Sequence, residues 1–212
     1  MYVPKPFREE RTHVLHQVMR DIGAAAVVGN GPDGLFATHV PVEILPEPAP
    51  YGRVRCHFAK PNPHGKAIDA DQDLLVIFQG PQGYVTPSWY PSKKATGKVV
   101  PTWNYVAIHA YGRAQTFDDA PTLRRHLASL TERFESDYPE PWTLEMAPDS
   151  YITRMCKGIV GVEITITRLQ GKWKMSQNKT DPDRLGVVHG LRDQGDGISQ
   201  TLADLVEQAK RG

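Results

Sequence analysis

The sequence predicts a mainly β protein, an antiparallel barrel with peripheral helices. Strand-like runs recur at Ala24 to Val28, Gly34 to Leu45, Arg53 to Ala59, Leu74 to Gln79, Thr102 to Phe117 and Ile159 to Leu169. They lack the repeated strand and helix alternation of a doubly wound parallel sheet. Two helical stretches are grouped together before the last strand, where an antiparallel barrel tolerates an insertion.

The elements follow in order. From Arg11 to Ile22, Val14, Leu15, Val18, Met19 and Ile22 recur at helical spacing and predict a short amphipathic helix. Ala24 to Val28 and Gly34 to Leu45 read as a hairpin across the turn-rich Gly29-Asn30-Gly31-Pro32-Asp33. That turn with Gly34 also matches a GxGxxG string. A dinucleotide fold needs a helix directly afterwards to hold the pyrophosphate, whereas Leu35 to Leu45 is strand-like and contains Pro41, so the string is read as a turn. Lys60-Pro61-Asn62-Pro63-His64-Gly65 reads as a loop between the next two strands.

Thr102 to Phe117 is long and rich in aromatic and β-branched residues, as a central strand is. Pro121 after Asp118 and Asp119 suits the first turn of a helix, with Leu123, Leu127, Leu130 and Phe134 along one face. Pro148 starts a shorter helix carrying Tyr151, Ile152 and Met155, and the last strand alternates apolar and polar residues through GVEITITRL. Gly186 to Gly197 reads as a linker to a terminal helix from Ile198 to Ala209. The expected organisation is one domain over 1–191, with a linker and helix over 192–212.

Composition limits the function. Lysine plus arginine number 25 against 24 aspartate plus glutamate, so overall charge does not point to nucleic acid. Cys56 and Cys156 lie outside any CxxC spacing and read as buried free thiols. The N-terminus lacks the apolar run of a signal peptide, and no stretch reaches the roughly twenty apolar residues of a membrane span. A soluble, cytoplasmic chain without a membrane partner is expected. GxSxG, Walker-type and HExxH motifs do not occur, which removes the most recognisable hydrolase and nucleotidase classes.

Five of the eighteen aromatic residues fall between Tyr84 and Tyr105, together with three prolines and three lysines. Pro87-Ser88-Trp89-Tyr90 and Pro101-Thr102-Trp103-Asn104-Tyr105 echo one another, with Lys93, Lys94 and Lys98 between them. Flat side chains, hydroxyls and amines in this density suit a planar ligand with an anionic tail. They also suit an ordinary core or a subunit interface. Arg168 to Lys179 repeats the chemistry, with Trp173 between Lys172 and Lys174 and then Ser176, Gln177 and Asn178. Stacking on single-stranded nucleic acid uses the same residue types but needs a broader basic surface. His39 and His57 lie on strands, where an inward imidazole needs a partner or touches a ligand. Neither His13 with His16 nor His57 with His64 completes a recognised metal-ligand set, and no metal is expected.

Read together, Met1 to Pro4 with Phe7 to Glu10, FQGPQGYVTPSWYPSK from Phe78, VPTWNYVAIHAYG from Val100 and GKWKMSQN from Gly171 closely resemble the PaiB-type family. These proteins are described as FMN-binding negative transcriptional regulators, and the resemblance runs to about Leu191. It implies a flavin split β-barrel like that of pyridoxamine phosphate oxidase, a homodimer with FMN at its interface. By analogy, Thr38, His39 and Val40 with His57, Ala59, Lys60 and Asn62 line the flavin, Lys60 being a candidate phosphate contact. The resemblance places Trp103 and Asn104 near the ring. Ser88, Trp89, Tyr90 and Lys93 form a lid or a dimer contact, and Lys172 and Gln177 join the cofactor set. The implied function is a flavin-dependent redox or sensing protein, with a flavin oxidoreductase as the enzyme reading. Two alternatives remain at this point: direct DNA-binding repression, without a helix-turn-helix pattern to support it, and haem binding, for which His39 and His57 are the histidines to test.

Overall fold

The computed structural model describes residues 1–31, 34–68 and 73–209. Its strands are β1 (Arg8–Glu9), β2 (Ala24–Gly31), β3 (Gly34–Pro41), β4 (Glu43–Leu45), β5 (Arg53–Ala59), β6 (Asp73–Val85), β7 (Thr102–Phe117) and β8 (Ile159–Lys174). They form one sheet in the order β3-β2-β6-β7-β8-β5-β4, with β1 paired to β8. The helices are α1 (Thr12–Ile22), α2 (Pro63–Lys66), α3 (Ser92–Thr96), α4 (Ala120–Glu135), α5 (Asp149–Lys157), α6 (Asp181–Gln194) and α7 (Gly197–Gln208). The chain divides into two interleaved compact units, one of Met1–Arg11, Gln79–Ile108 and Gln170–Gly212, the other of Thr12–Phe78 and His109–Leu169.

In the unit containing Thr12–Phe78, period-two alternation buries Val54, Cys56 and Phe58 of β5, Leu74, Val76 and Phe78 of β6, and Val162 and Ile164 of β8. Each such side chain withdrawn from water contributes about 1.5–3 kcal/mol. Helix α1 adds Leu15 and Met19, and its buried His16 bonds the Tyr51 carbonyl through Nε2 at 2.8 Å. Helix α4 starts where the Asp119 carboxylate accepts the Thr122 N–H at 2.9 Å. Leu123, Leu144, Ile152 and Cys156 then form a satellite core with Phe117 packed against it. Both cysteines are free and buried.

Several boundaries differ from the sequence reading for identifiable reasons. The expected strand from Gly34 to Leu45 is two strands, since Pro41 has no N–H to extend the ladder and Val42 turns inward, its N–H bonding Gly23 at 2.9 Å. The register of β2 and β3 confirms the hairpin, ending at Gly31 opposite Gly34; Pro32 and Asp33 of the turn lie outside the described residues. A strand, not a helix, follows the GxGxxG string. The Lys60–Gly65 loop contains a single helical turn, which Asn62 caps by accepting the His64 N–H at 3.0 Å. Strand β6 continues past Gln79 through Gly80-Pro81, and β8 continues five residues past Leu169.

The largest correction concerns Gly186 to Gly197, expected as a linker. Most of it is helix α6, so residue 192 lies inside a helix and not at a boundary. Thr180 caps that helix, and Gly195 ends it at φ 76°, a conformation glycine adopts without penalty. Its internal Gly186 and Gly190 are packing residues. A Cβ at Gly190 would fall within the Trp89 indole, and one at Gly186 would strike the Trp89 carbonyl oxygen. In the same unit, α6 and α7 bury Val187, Val188, Leu191, Leu202, Ala203 and Val206.

Replacing Gly190 by alanine therefore has opposite consequences by two criteria. Helix propensity alone favours alanine by about 1 kcal/mol, whereas overpacking against Trp89 costs about 1–3 kcal/mol. We expect Gly190→Ala to lower the urea midpoint of unfolding; an unchanged or raised midpoint would show that the indole yields.

Candidate functional site

The two compact units each contain a polar cluster. In the unit holding Gln170–Gly212, alternation along β7 leaves Trp103 46% exposed and Asn104 fully buried. Asn104 Nδ2 donates to the Ser176 hydroxyl at 3.1 Å. Ser176 follows the end of β8 at φ 60°, a left-handed conformation uncommon for a residue with a Cβ. The turn is held by Gln177, whose Oε1 accepts the Met175 N–H and whose Nε2 donates to the Trp173 carbonyl, each at 2.7 Å.

This turn closes a cavity of about 130 Å³, lined by Thr102, Asn104, Lys174, Ser176, Asn178 and Lys179 with Val100 and Pro101. Lys174 Nζ donates to the Thr102 hydroxyl and, at 2.9 Å, to the Trp103 carbonyl. Burial, then the charges of Lys172 and Lys179, lower its pKa. Lys179 Nζ lies 4.8 Å from the centroid of the buried Tyr90 ring, and Tyr90 Oη is buried without a hydrogen-bond partner among the described residues. Two lysines with hydroxyl and amide groups along the lining favour an anion with several acceptor oxygens. The volume suits a phosphate group, whereas sites for drug-sized molecules are about 300–1,000 Å³. The residues thus fit the anionic tail of a flavin nucleotide and not its tricyclic ring.

In the other unit, Asn62 Nδ2 donates to Thr38 Oγ1 at 3.2 Å, and Thr38 Oγ1 lies 2.8 Å from His64 Nδ1. The buried His64 stacks on Phe58 at 5.2 Å, and burial lowers its pKa. Strand β3 turns Thr38 and Val40 to one side and exposes His39 on the other. Ala59 and Lys60 are exposed at the end of β5. His57 Nδ1 lies 3.1 Å from His126 Nε2, so His57 is engaged in a different network from Thr38. Beside it, Glu163 pairs with Arg53 at 2.7 Å and Arg55 at 2.5 Å. Burial pushes the Glu163 carboxyl upward, but hydrogen bonds from the two guanidiniums outweigh it and hold the group below its ordinary value.

Several expected contacts have other roles here. Trp89 is seated on the α6 glycines and is not a free lid. Tyr90 is buried under Lys179, while exposed Lys93 donates to Ser88 Oγ at 3.2 Å. Lys172 donates to the Tyr2 carbonyl at 3.2 Å, with Nζ 5.2 Å from the Tyr105 ring centroid, and so anchors the N-terminus. Gln177 is spent on the turn. Trp103 and Asn104 project from opposite faces of β7, so a ligand in the Asn104 cavity does not also meet the Trp103 indole, whose Nε1 donates to Gln82 at 3.1 Å. The cavity residues Thr102, Lys174, Ser176 and Lys179 belong to the two aromatic-rich segments but were not among the residues expected to hold the cofactor. Their shared face becomes apparent only once β8 extends to Lys174.

A family model described as "Putative FMN-binding domain" matches residues 1–168. The chain belongs to this FMN-binding domain family. It is 34% identical to an uncharacterized protein of Emericella nidulans and 30% identical to the Bacillus subtilis "Protease synthase and sporulation protein PAI 2". Both matches cover 98% of this chain and 97% of the relative. The PaiB-type resemblance is borne out by the second. Among solved structures, the FAD and heme binding protein from Mycobacterium smegmatis matches with a TM-score of 0.56 at 14% identity, over 79% of this chain and 73% of that one. The fold class is the expected one, mainly β and antiparallel, of the split-barrel kind with peripheral helices. Among the described residues, no helix is long and apolar enough to cross a membrane.

The Glu163 cluster sets an acid limit on stability. Its folded pKa lies below the ordinary 4.5, so its contribution is complete above that value and is lost as pH falls through the depressed one. Glu163→Gln should remove about 1 kcal/mol at neutral pH and flatten the acid side of a stability profile measured by urea unfolding.

Proposed function

We propose that this chain binds FMN and works as a flavin-dependent redox or sensing protein, its phosphate held by Lys174, Lys179, Thr102 and Ser176. The observation that carries the reading is the cavity of lysines and hydroxyls at the end of β8 in a member of an FMN-binding family. When bound, the flavin supplies hydride and electron transfer; the protein supplies binding, orientation and electrostatics. Lys174 and Lys179 neutralise the phosphate, Asn104 fixes the Ser176 hydroxyl, and a dianion beside Lys174 opposes the burial and like charges that lower its pKa. A volume of about 130 Å³ leaves the ring outside this cavity. A second copy of the chain provides the remaining wall in this reading.

The negative regulation implied by the PaiB-type resemblance fits a sensing role, in which flavin occupancy or redox state controls a partner. With 25 basic and 24 acidic residues, the chain has little electrostatic basis for direct DNA binding.

The test is spectroscopic and thermodynamic. Freshly purified protein should carry a flavin absorbance, and added FMN at about a hundred times its Kd should stabilise the fold by about 2.7 kcal/mol. Riboflavin, which lacks the phosphate, should stabilise it far less. Lys174→Met should weaken FMN binding roughly tenfold or more, the usual cost of a charged hydrogen bond. Colourless protein with no thermal shift would overturn the reading.

A further inference from the structure

His57, His126 and Glu43 form a continuous acid–base chain that the flavin reading does not use. His126 on α4 has no solvent exposure; its Nδ1 lies 3.0 Å from Glu43 Oε2 and its Nε2 lies 3.1 Å from His57 Nδ1. Glu43 Oε1 accepts the Ser129 hydroxyl at 2.7 Å. Burial pushes the Glu43 carboxyl upward, but His126, Ser129 and the charge of Arg55 together hold it below its ordinary value, which keeps it ionised. Phe117 is edge-on to His126, with Arg55 stacked over the same phenyl ring.

The ionised carboxylate fixes the order of protons. An acceptor at Glu43 requires a proton on His126 Nδ1; in the neutral ring His126 Nε2 is then an acceptor, which calls for a proton on His57 Nδ1. The lone pair of the neutral His57 is then on Nε2, in a half-buried ring followed on the same strand face by exposed Ala59. The opposite order would turn a nitrogen lone pair toward the carboxylate.

We propose that His57 Nε2 is a general base for a small molecule with a weakly acidic N–H or O–H, and that His126 and Glu43 are its positioning residues and proton relay. The ligand N–H or O–H bond breaks and leaves its electron pair on the ligand, while the proton bonds to His57 Nε2. The His57 Nδ1 proton crosses to His126 Nε2, and the resulting imidazolium remains paired with Glu43. Each step reverses when the ligand is reprotonated. The other charged groups around the relay are Arg55 and Arg53 on β5 and Glu163 on β8. Arg55 lies 3.6 Å from Glu43 and opposes its charge, but Glu163 takes the closer pairing. Burial, then His126, lower the His57 pKa to about 4, so His57 is unprotonated at neutral pH and a weak base by itself, and the proton it takes must pass on to His126.

Long-range nitrogen-15 spectra of the wild-type protein read the tautomer directly and depend on no variant. The expected result is a proton on Nδ1 and none on Nε2 of His57 at neutral pH; the reverse assignment would overturn the proposal. Diethyl pyrocarbonate, an electrophile for neutral imidazole, then probes base strength by mapped carbethoxylation. In Glu43→Gln, His57 should react roughly tenfold more slowly, while exposed His39 reacts as before. Equal His57 rates in both proteins would reduce Glu43 to a structural partner. If Glu43→Gln does not fold, Ser129→Ala, which removes one hydrogen bond to the same carboxylate, should slow His57 in the same direction, and an unchanged rate there would count against the relay.

Discussion

Asn104 has no access to solvent, so the free energy of its amide rests on the Ser176 hydroxyl. Leaving such a group unpaired costs about 1–3 kcal/mol, comparable to the cost of holding a residue with a Cβ in a left-handed conformation. The pairing of Asn104 and Ser176 can therefore sustain the φ of 60° at which the chain leaves β8. That turn decides where the following residues go. With Met175 buried and Gln177 bonded back to it, Lys174 and Lys179 both line the cavity beside Thr102. A strand continued without the turn would separate these side chains along its length.

The same requirement, that buried polar groups be satisfied, organises the other unit by different means. Glu163 meets two guanidiniums, whereas Glu43 meets an imidazole and a hydroxyl. Buried ion pairs contribute little net stability because desolvation offsets their attraction, while removal of one partner is costly. Arg55 lies between the two carboxylates and couples them, so changes at Glu163 and Glu43 should not be additive. The carboxylate with the weaker cationic contact is the one that faces an imidazole.

The sequence showed the elements whose period was uninterrupted. Arg53 to Ala59 and Thr102 to Phe117 match β5 and β7, and the helices at Pro121 and Pro148 match α4 and α5. Failures occurred where glycine or proline was read as punctuation. Gly80-Pro81 and Gly171 lie within strands, and Gly186 and Gly190 lie within a helix because Trp89 occupies the space of their missing side chains. The site was legible as composition but not as geometry. Lys172 and Lys174 are equivalent in a string, yet one anchors Tyr2 and the other lines the cavity. The chain of Glu43, His57 and His126 joins β4, β5 and α4, a juxtaposition that no local pattern encodes.

The lysine cavity and the histidine chain use charge in opposite ways. Around Lys174, burial and like charges raise the energy of the protonated amine, and an anion bound beside it offsets that cost. Around His126, an ionised carboxylate is already in place, so a proton entering at His57 finds its counter-charge without reorganisation. The first arrangement gains most from binding a fixed negative charge, the second from receiving a transient positive one. Loss of phosphate affinity should therefore leave the His57 tautomer unchanged, because each response is set by the charges within its own cluster.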